Sequence, residues 1–187
     1  MTLLLSDTGY EIHAVVVGPM DNNVFVVRCT ETGDAVLIDA ANEHELLLEL
    51  CRKLGVRRVI ETHGHWDHIQ AVPAVRDAGY DVAVAQADAG MLPGYDDILE
   101  DDSVIEVGRL RLATIATPGH TPGSICFRLQ GTPLLFSGDT LFPGGPGNTK
   151  SLASENLLPV EQTATAATPP AYHPAEQFPP KTLAKLE

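Results

Sequence analysis

Short runs rich in β-branched residues fill the N-terminal part of the chain: YEIHAVVV, NVFVVRCT and AVLIDA, separated by GPMDNN and ETGD. Apolar runs bounded by Gly, Asp and Asn predict strands, and three in succession between Tyr10 and about Asp39 predict a meander. The period then changes. Leu47, Leu50, Cys51 and Leu54 recur at helical spacing, Asn42 with Glu45 reads as a capping box, and Gly55 stands where a C-cap belongs. RRVIET follows as a short buried strand. A second helix is predicted to run to Gly79 with Pro73 held to its first turn, and DVAVA returns to strand. Alternating strands and helices imply a sheet with helices on its outer face.

The later part of the chain turns back to strands, SVIEV, LRLATIATP, SICFRL and PLLFSGD, divided by Gly and Pro turns. Two β-rich halves with helices between them predict two sheets packed face to face. YDDILEDD, residues 95–102, is a charge run whose carboxylates lack calcium-loop spacing, and it reads as a solvated loop. All 16 glycines lie at or before Gly147, whereas six of the 14 prolines follow residue 148. The stretch around TATAATPPA has few large apolar side chains to bury. Residues 149–187 are therefore expected to form a poorly ordered tail behind one domain of residues 1–148.

Composition narrows the partners. With 187 residues, 44% of them hydrophobic, the chain can bury one real core. A net charge of −13 repels phosphate backbones and anionic lipid at long range, which argues against nucleic acid and membrane as partners. The N-terminal segment MTLLLSDTGYEIHAVVVG has no basic region before its apolar runs, and the protein is expected to be cytoplasmic. Cys29, Cys51 and Cys126 are far apart with no CxxC, so they are expected to be small buried side chains and not a disulfide framework or a thiolate zinc site.

The chemistry concentrates in ETHGHWDH, residues 61–68, which holds three of the seven histidines. On an extended chain residues two apart point the same way, so His63 and His65 can chelate one ion, with Gly64 letting the backbone approach. Asp67 and His68 follow where the chain bends into a helix, and their different direction suits a second ion. Imidazole and carboxylate are usual ligands of zinc, and also of iron or manganese. Further ligands are expected at other strand ends, and His120 in TPGHTPGS and Asp139 in FSGDT both follow a Gly that permits a sharp bend. Other motifs fail. GGPGNTKS lacks the glycine that a phosphate loop places before Lys, there is no GxSxG, and Ser124 reads as a turn residue. His13 and His44 are assigned to packing or surface.

The motifs THGHWDH, TPGHTPGS and SGDTLF, in that order, resemble those of the metallo-β-lactamase fold hydrolases, and among them the hydroxyacylglutathione hydrolase (glyoxalase II) branch. The resemblance covers residues 10 to about 148. It implies an α+β fold, a four-layer αββα sandwich, with the site at one edge of the paired sheets. It also implies that His63, His65 and His120 bind a first metal, that Asp67 and His68 bind a second, and that Asp139 bridges them. The family takes one more His from a late GHG motif. This chain has none, its only histidine beyond His120 being His173, so the family pattern reads as C-terminally incomplete.

The activity so implied is metal-dependent hydrolysis of a small-molecule substrate, with one or two zinc ions, or iron or manganese, and metal-bound hydroxide attacking a thioester or related acyl carbonyl. Asp67 is the expected catalytic residue, orienting the nucleophile and handling its proton. Two other readings stay open at this point. One is an iron-dependent persulfide dioxygenase using His63, His120 and Asp139, and the other is an inactive metal-binding remnant.

Overall fold

A computed structural model describes residues 1–149 and 183–185. The predicted meander is present and is extended by an unforeseen strand. β1 (Thr2–Asp7), β2 (Tyr10–Val17), β3 (Asn22–Cys29) and β4 (Ala35–Ile38) pair antiparallel in succession. Most of β1 is exposed, so its residues lack the alternation that marks a half-buried strand. The chain then runs through α1 (His44–Leu54), β5 (Val56–Ile60), α2 (Trp66–Ile69), α3 (Val72–Asp77), β6 (Asp81–Ala85) and β7 (Asp97–Leu99). β4 through β7 are mutually parallel and complete a seven-stranded sheet in sequential order.

In α1 the expected stripe is buried, and Gly55, at a positive φ of 77°, closes the helix by donating its N–H to the Cys51 carbonyl. The capping box does not form. The helix starts behind Glu43, and Asn42 Oδ1 instead accepts from the Glu43 N–H while its amide donates to Gln70 Oε1. The second predicted helix is two short ones. The Gln70 and Ala71 N–H groups bond to the Ala41 and Ala40 carbonyls across the chain, so the ladder breaks between them, and Pro73 lies in the first turn of α3. The charge run is not wholly loop, because its centre is the edge strand β7. There Arg58 donates to Asp97 at 2.9 Å, and Arg76 grips Asp96 with two bonds of 2.6 and 2.9 Å, holding that carboxyl down at about 2. Charged side chains suit a sheet edge, where they discourage further pairing.

The second sheet is antiparallel, built from β8 (Val104–Val107), β9 (Leu110–Ala116), β10 (Ile125–Leu129) and β11 (Leu134–Phe136). A two-stranded ribbon, β12 (Leu141–Phe142) with β13 (Gly145–Pro146), follows. β14 (Leu183–Lys185) pairs antiparallel with β11. It comes from the segment expected to be a poorly ordered tail, and the rest of that segment beyond Thr149, His173 included, lies outside the described residues.

The sheets pack face to face through Ile12, Val36, Ile60, Leu112, Phe127 and their neighbours, with Phe25 and Phe136 in edge contact at 5.3 Å between ring centres. On the other face of the first sheet α1, α2 and α3 bury Leu47, Ile69 and Val72 against Leu37, Val59 and Val84. The described layers are thus helix, sheet and sheet. Among the described residues no helix is long and apolar enough to cross a membrane.

All three cysteines are free and buried, and burial pushes the Cys51 thiol up to about 12. Only thiolates react readily. A thiol reagent at pH 8 should therefore titrate three groups per chain in denaturant and none promptly in its absence; rapid labelling of native protein would contradict the packing.

Candidate metal centre

The parallel strands all end at one edge of the first sheet, where side chains of open α/β sheets commonly gather around ligands. Asp39 follows β4, the segment from Glu61 to His68 follows β5, and Asp88 follows β6. The second sheet brings His120, on the turn between β9 and β10, and Asp139, on the 3₁₀ turn after β11. The sheets are tied together here, since the Ile125 N–H donates to the Thr62 carbonyl at 2.8 Å. Gly138 takes a φ of 48° against Thr62, and a Cβ there would lie 2.5 Å from Thr62 Oγ1, so glycine is required by both conformation and space.

Five of the six residues singled out by sequence form two overlapping groups. Donor atoms of His63, His65 and His120 lie within 4.8 Å of one another, as do those of His63, His68 and Asp139. Asp139 lies between the groups, with Oδ1 3.4 Å from His68 Nε2 and Oδ2 3.5 Å from His120 Nε2. Asp67 belongs to neither group. Its Oδ2 is 3.7 Å from His68 Nε2, and Asn22 Nδ2 donates to both that oxygen, at 3.1 Å, and the Asp67 carbonyl, at 2.8 Å.

The outer nitrogen of each imidazole decides what the inner one can do. Thr62 Oγ1 donates to Asp39 Oδ2 at 2.8 Å, which leaves its lone pair to accept from His63 Nδ1 at 3.0 Å. His68 Nδ1 donates to Asp39 Oδ2 at 2.8 Å, and His120 Nδ1 donates to the Asn148 carbonyl at 2.9 Å. With the proton on Nδ1, each Nε2 presents a lone pair. These three Nε2 atoms, of His63, His68 and His120, are buried without a hydrogen-bond partner. An unsatisfied buried polar atom costs about 1–3 kcal/mol, so three converging on one place call for a cation. The donor set of imidazole nitrogens and a carboxylate fits a divalent transition metal or zinc.

The charge balance agrees. Burial, reinforced by the neighbouring histidines, pushes the His63 imidazole down to about 2 and also lowers His65, which keeps both neutral and able to ligate. For His68 burial opposes the charged form, but Asp39 and Asp139 overcome it and raise the imidazole well above its ordinary value, which favours a proton on its Nε2 until a cation displaces it. Burial likewise opposes ionisation of Asp139, and His68, His63 and His120 outweigh it, holding the carboxyl low. These carboxylates create a place for positive charge.

The family profile of the metallo-beta-lactamase superfamily matches residues 17–177. The chain belongs to this superfamily. A hydroxyacylglutathione hydrolase of Thermosynechococcus vestitus is 36% identical over 131 residues, which is 68% of this chain and 52% of that protein. The chain thus spans about half the length of the curated relatives of that name. A probable metallo-hydrolase of Bacillus subtilis, YqgX, is 31% identical over 76% of this chain and 77% of its own length. Among solved structures, TTHA1623 in a di-iron-bound form superposes with a TM-score of 0.63, with 28% identity over 73% of this chain and 76% of that one.

Sequence reasoning missed the residues behind the superfamily's motifs. Asp39, Thr62 and Asn22 are single polar residues at strand ends, and what they bond is set by tertiary approach. The one local signal is Asp39 itself, which follows the strand AVLI and adopts a φ of 65°, an unusual conformation for a residue with a side chain. His63 is common to both donor groups and His65 to one. His63→Ala should therefore abolish tight binding of every ion, whereas His65→Ala should leave the group of His63, His68 and Asp139 able to hold one. Metal content after dialysis checks this, and full retention in His63→Ala would dismiss the centre.

Proposed function

We propose that the protein is a metal-dependent hydrolase acting on a thioester or related acyl substrate in the cytoplasm. The observation that carries the reading is the convergence of three partnerless buried Nε2 atoms on the Asp139 carboxylate. The hydroxyacylglutathione hydrolases and the probable metallo-hydrolase among its relatives support the reaction class and the thioester. In this reading His63, His65 and His120 hold a first ion, His68 with Asp139 serves a second, and Asp67 is the catalytic residue. Zinc is the proposed metal, and iron is the alternative favoured by the di-iron-bound neighbour.

A bound divalent ion supplies Lewis acidity, polarising the acyl carbonyl and making water ionisable near neutral pH. The protein's part is position and proton transfer. Asn22 fixes Oδ2 of Asp67 and the backbone beneath it, so Oδ1 is left to orient the attacking water and take its proton. Asp39 anchors His68 directly and His63 through Thr62, so neither ring turns as charge develops. No serine or cysteine nucleophile is required, in keeping with three buried thiols and with a Ser124 hydroxyl engaged by Thr121.

Metal analysis beside a thioester hydrolysis assay tests the reading. Zinc with turnover supports it, whereas iron with oxygen consumption on a persulfide and no thioester turnover replaces it with a dioxygenase. Metal without either activity makes the chain a binding remnant. Within the hydrolase, Asp67→Asn should lower kcat/KM by roughly 10²–10⁴, the usual size of a general-base contribution, and spare the ion held by His63, His65 and His120. Equal loss of both would give Asp67 a structural role.

A further inference from the structure

Asp88 is fully buried and stands outside every motif the sequence reading used. A carboxylate in that position is costly unless its oxygens are satisfied. Its partners are three donors. Oδ2 accepts from the Gly64 N–H at 2.9 Å and from the Thr121 hydroxyl at 2.6 Å, and Oδ1 accepts from the Gly123 N–H at 2.7 Å. Gly64 lies between His63 and His65, and Thr121 directly follows His120. One carboxylate on the first sheet therefore joins the two segments that carry the three histidines of the first donor group, whose rings stand 4.5 to 4.9 Å apart.

The glycines show how closely these segments are drawn in. A Cβ on Gly123 would lie 2.6 Å from Asp88 Cγ and 2.7 Å from its backbone nitrogen, and one on Gly64 would lie 2.8 Å from Met91 Cβ and 3.1 Å from the Asp88 carbonyl oxygen. The turn from Asp88 to Met91 is itself closed by the Met91 N–H donating to the Asp88 carbonyl at 2.8 Å. It presents a fixed surface to which both segments conform. Thr121 is held in turn by Ser124, which shares a hydroxyl contact of 2.8 Å and accepts from the Thr121 N–H at 3.0 Å.

We infer that Asp88 is a positioning residue that sets the separation of His63 and His65 from His120, acting through Gly64 and Thr121. This rests on the proposal that those histidines hold an ion. Asp88 touches neither the ion's donors nor the substrate, and its effect is to keep the donors at ligating distance before the ion arrives. Partners one step removed from a metal change affinity by about 10- to 100-fold when removed.

The test is metal affinity, by chelator competition with zinc and by the visible spectrum of the cobalt-loaded protein, with melting of the metal-free form measured in parallel. Thr121→Val deletes the hydroxyl bond at nearly constant volume and should weaken the first ion about 10-fold or more, with a changed cobalt spectrum. Thr121→Ser restores the donor and should stay close to wild type. Asp88→Asn should act in the same direction as Thr121→Val and more strongly. Val84→Ala, a cavity in the core of β6, serves as the comparison, since it should lower the metal-free melting temperature with no change in affinity or spectrum. If Thr121→Val and Asp88→Asn bind zinc like wild type, or only track stability as Val84→Ala does, the positioning role is overturned. If wild type itself binds no ion, the failure lies with the proposed function.

Discussion

A buried imidazole nitrogen with no hydrogen-bond partner is unstable, and this fold holds three of them within reach of one carboxylate. Every other feature of the edge follows from keeping them so. If Nδ1 of His63, His68 or His120 lost its outer acceptor, the ring could change tautomer or turn, and Nε2 would cease to be a donor toward the centre. Asp39 prevents this for two of the three. It accepts from the Thr62 N–H, the Thr62 hydroxyl and His68 Nδ1, and through Thr62 it reaches His63. The strained backbone at Asp39 is the local cost of putting one carboxylate where three donors meet.

Behind Asp39 a second carboxyl closes the arrangement without adding charge. Glu61 is fully buried and accepts from the Ala40 N–H, and burial together with the nearby Asp39 raises it well above the ordinary range. Burial thus favours the uncharged form of Glu61 behind the Asp39 carboxylate that faces His68. On the opposite side of the centre Asp139 adds a carboxylate from the other sheet, and Asp67 stands beside His68, which gives the centre the negative character that a divalent cation requires.

The residues that offer donor atoms were legible in the sequence because ligating chemistry leaves a local trace. HGHWDH packs His63, His65, Asp67 and His68 into one strand end, and His120 and Asp139 each follow a Gly at the end of another. The strands flanking them were legible for the same reason, as their β-branched runs are bounded by turns. What supports the donors leaves no such trace. Asp39, Asn22 and Asp88 act across 23 to 45 positions in the chain, and a lone Asp after a strand is common in any sheet protein. The capping box at Asn42 and the unbroken second helix failed for a related reason. Local propensity was overridden where Gln70, Ala40 and Ala41 offered better partners across the chain. In the charge run the acidic side chains mark solvent by sequence alone, whereas in the fold Arg58 and Arg76 pair with Asp97 and Asp96 at the start of an edge strand.

Because His63, His65 and His68 come from one sheet and His120 and Asp139 from the other, the centre forms only when the sheets dock. Docking is driven by the apolar layer of Ile12, Ile60, Leu112 and Phe127, all but excluded from solvent. Metal binding and docking of the two sheets are therefore linked. An ion that binds only the docked form adds about 4.1 kcal/mol of stability when its concentration is 1,000 times its dissociation constant. The clasp at Asp88 is the short path for that coupling. It lies directly after β6, whose Ala83 and Ala85 face the inter-sheet layer, and its oxygens end on the segments that carry the histidines.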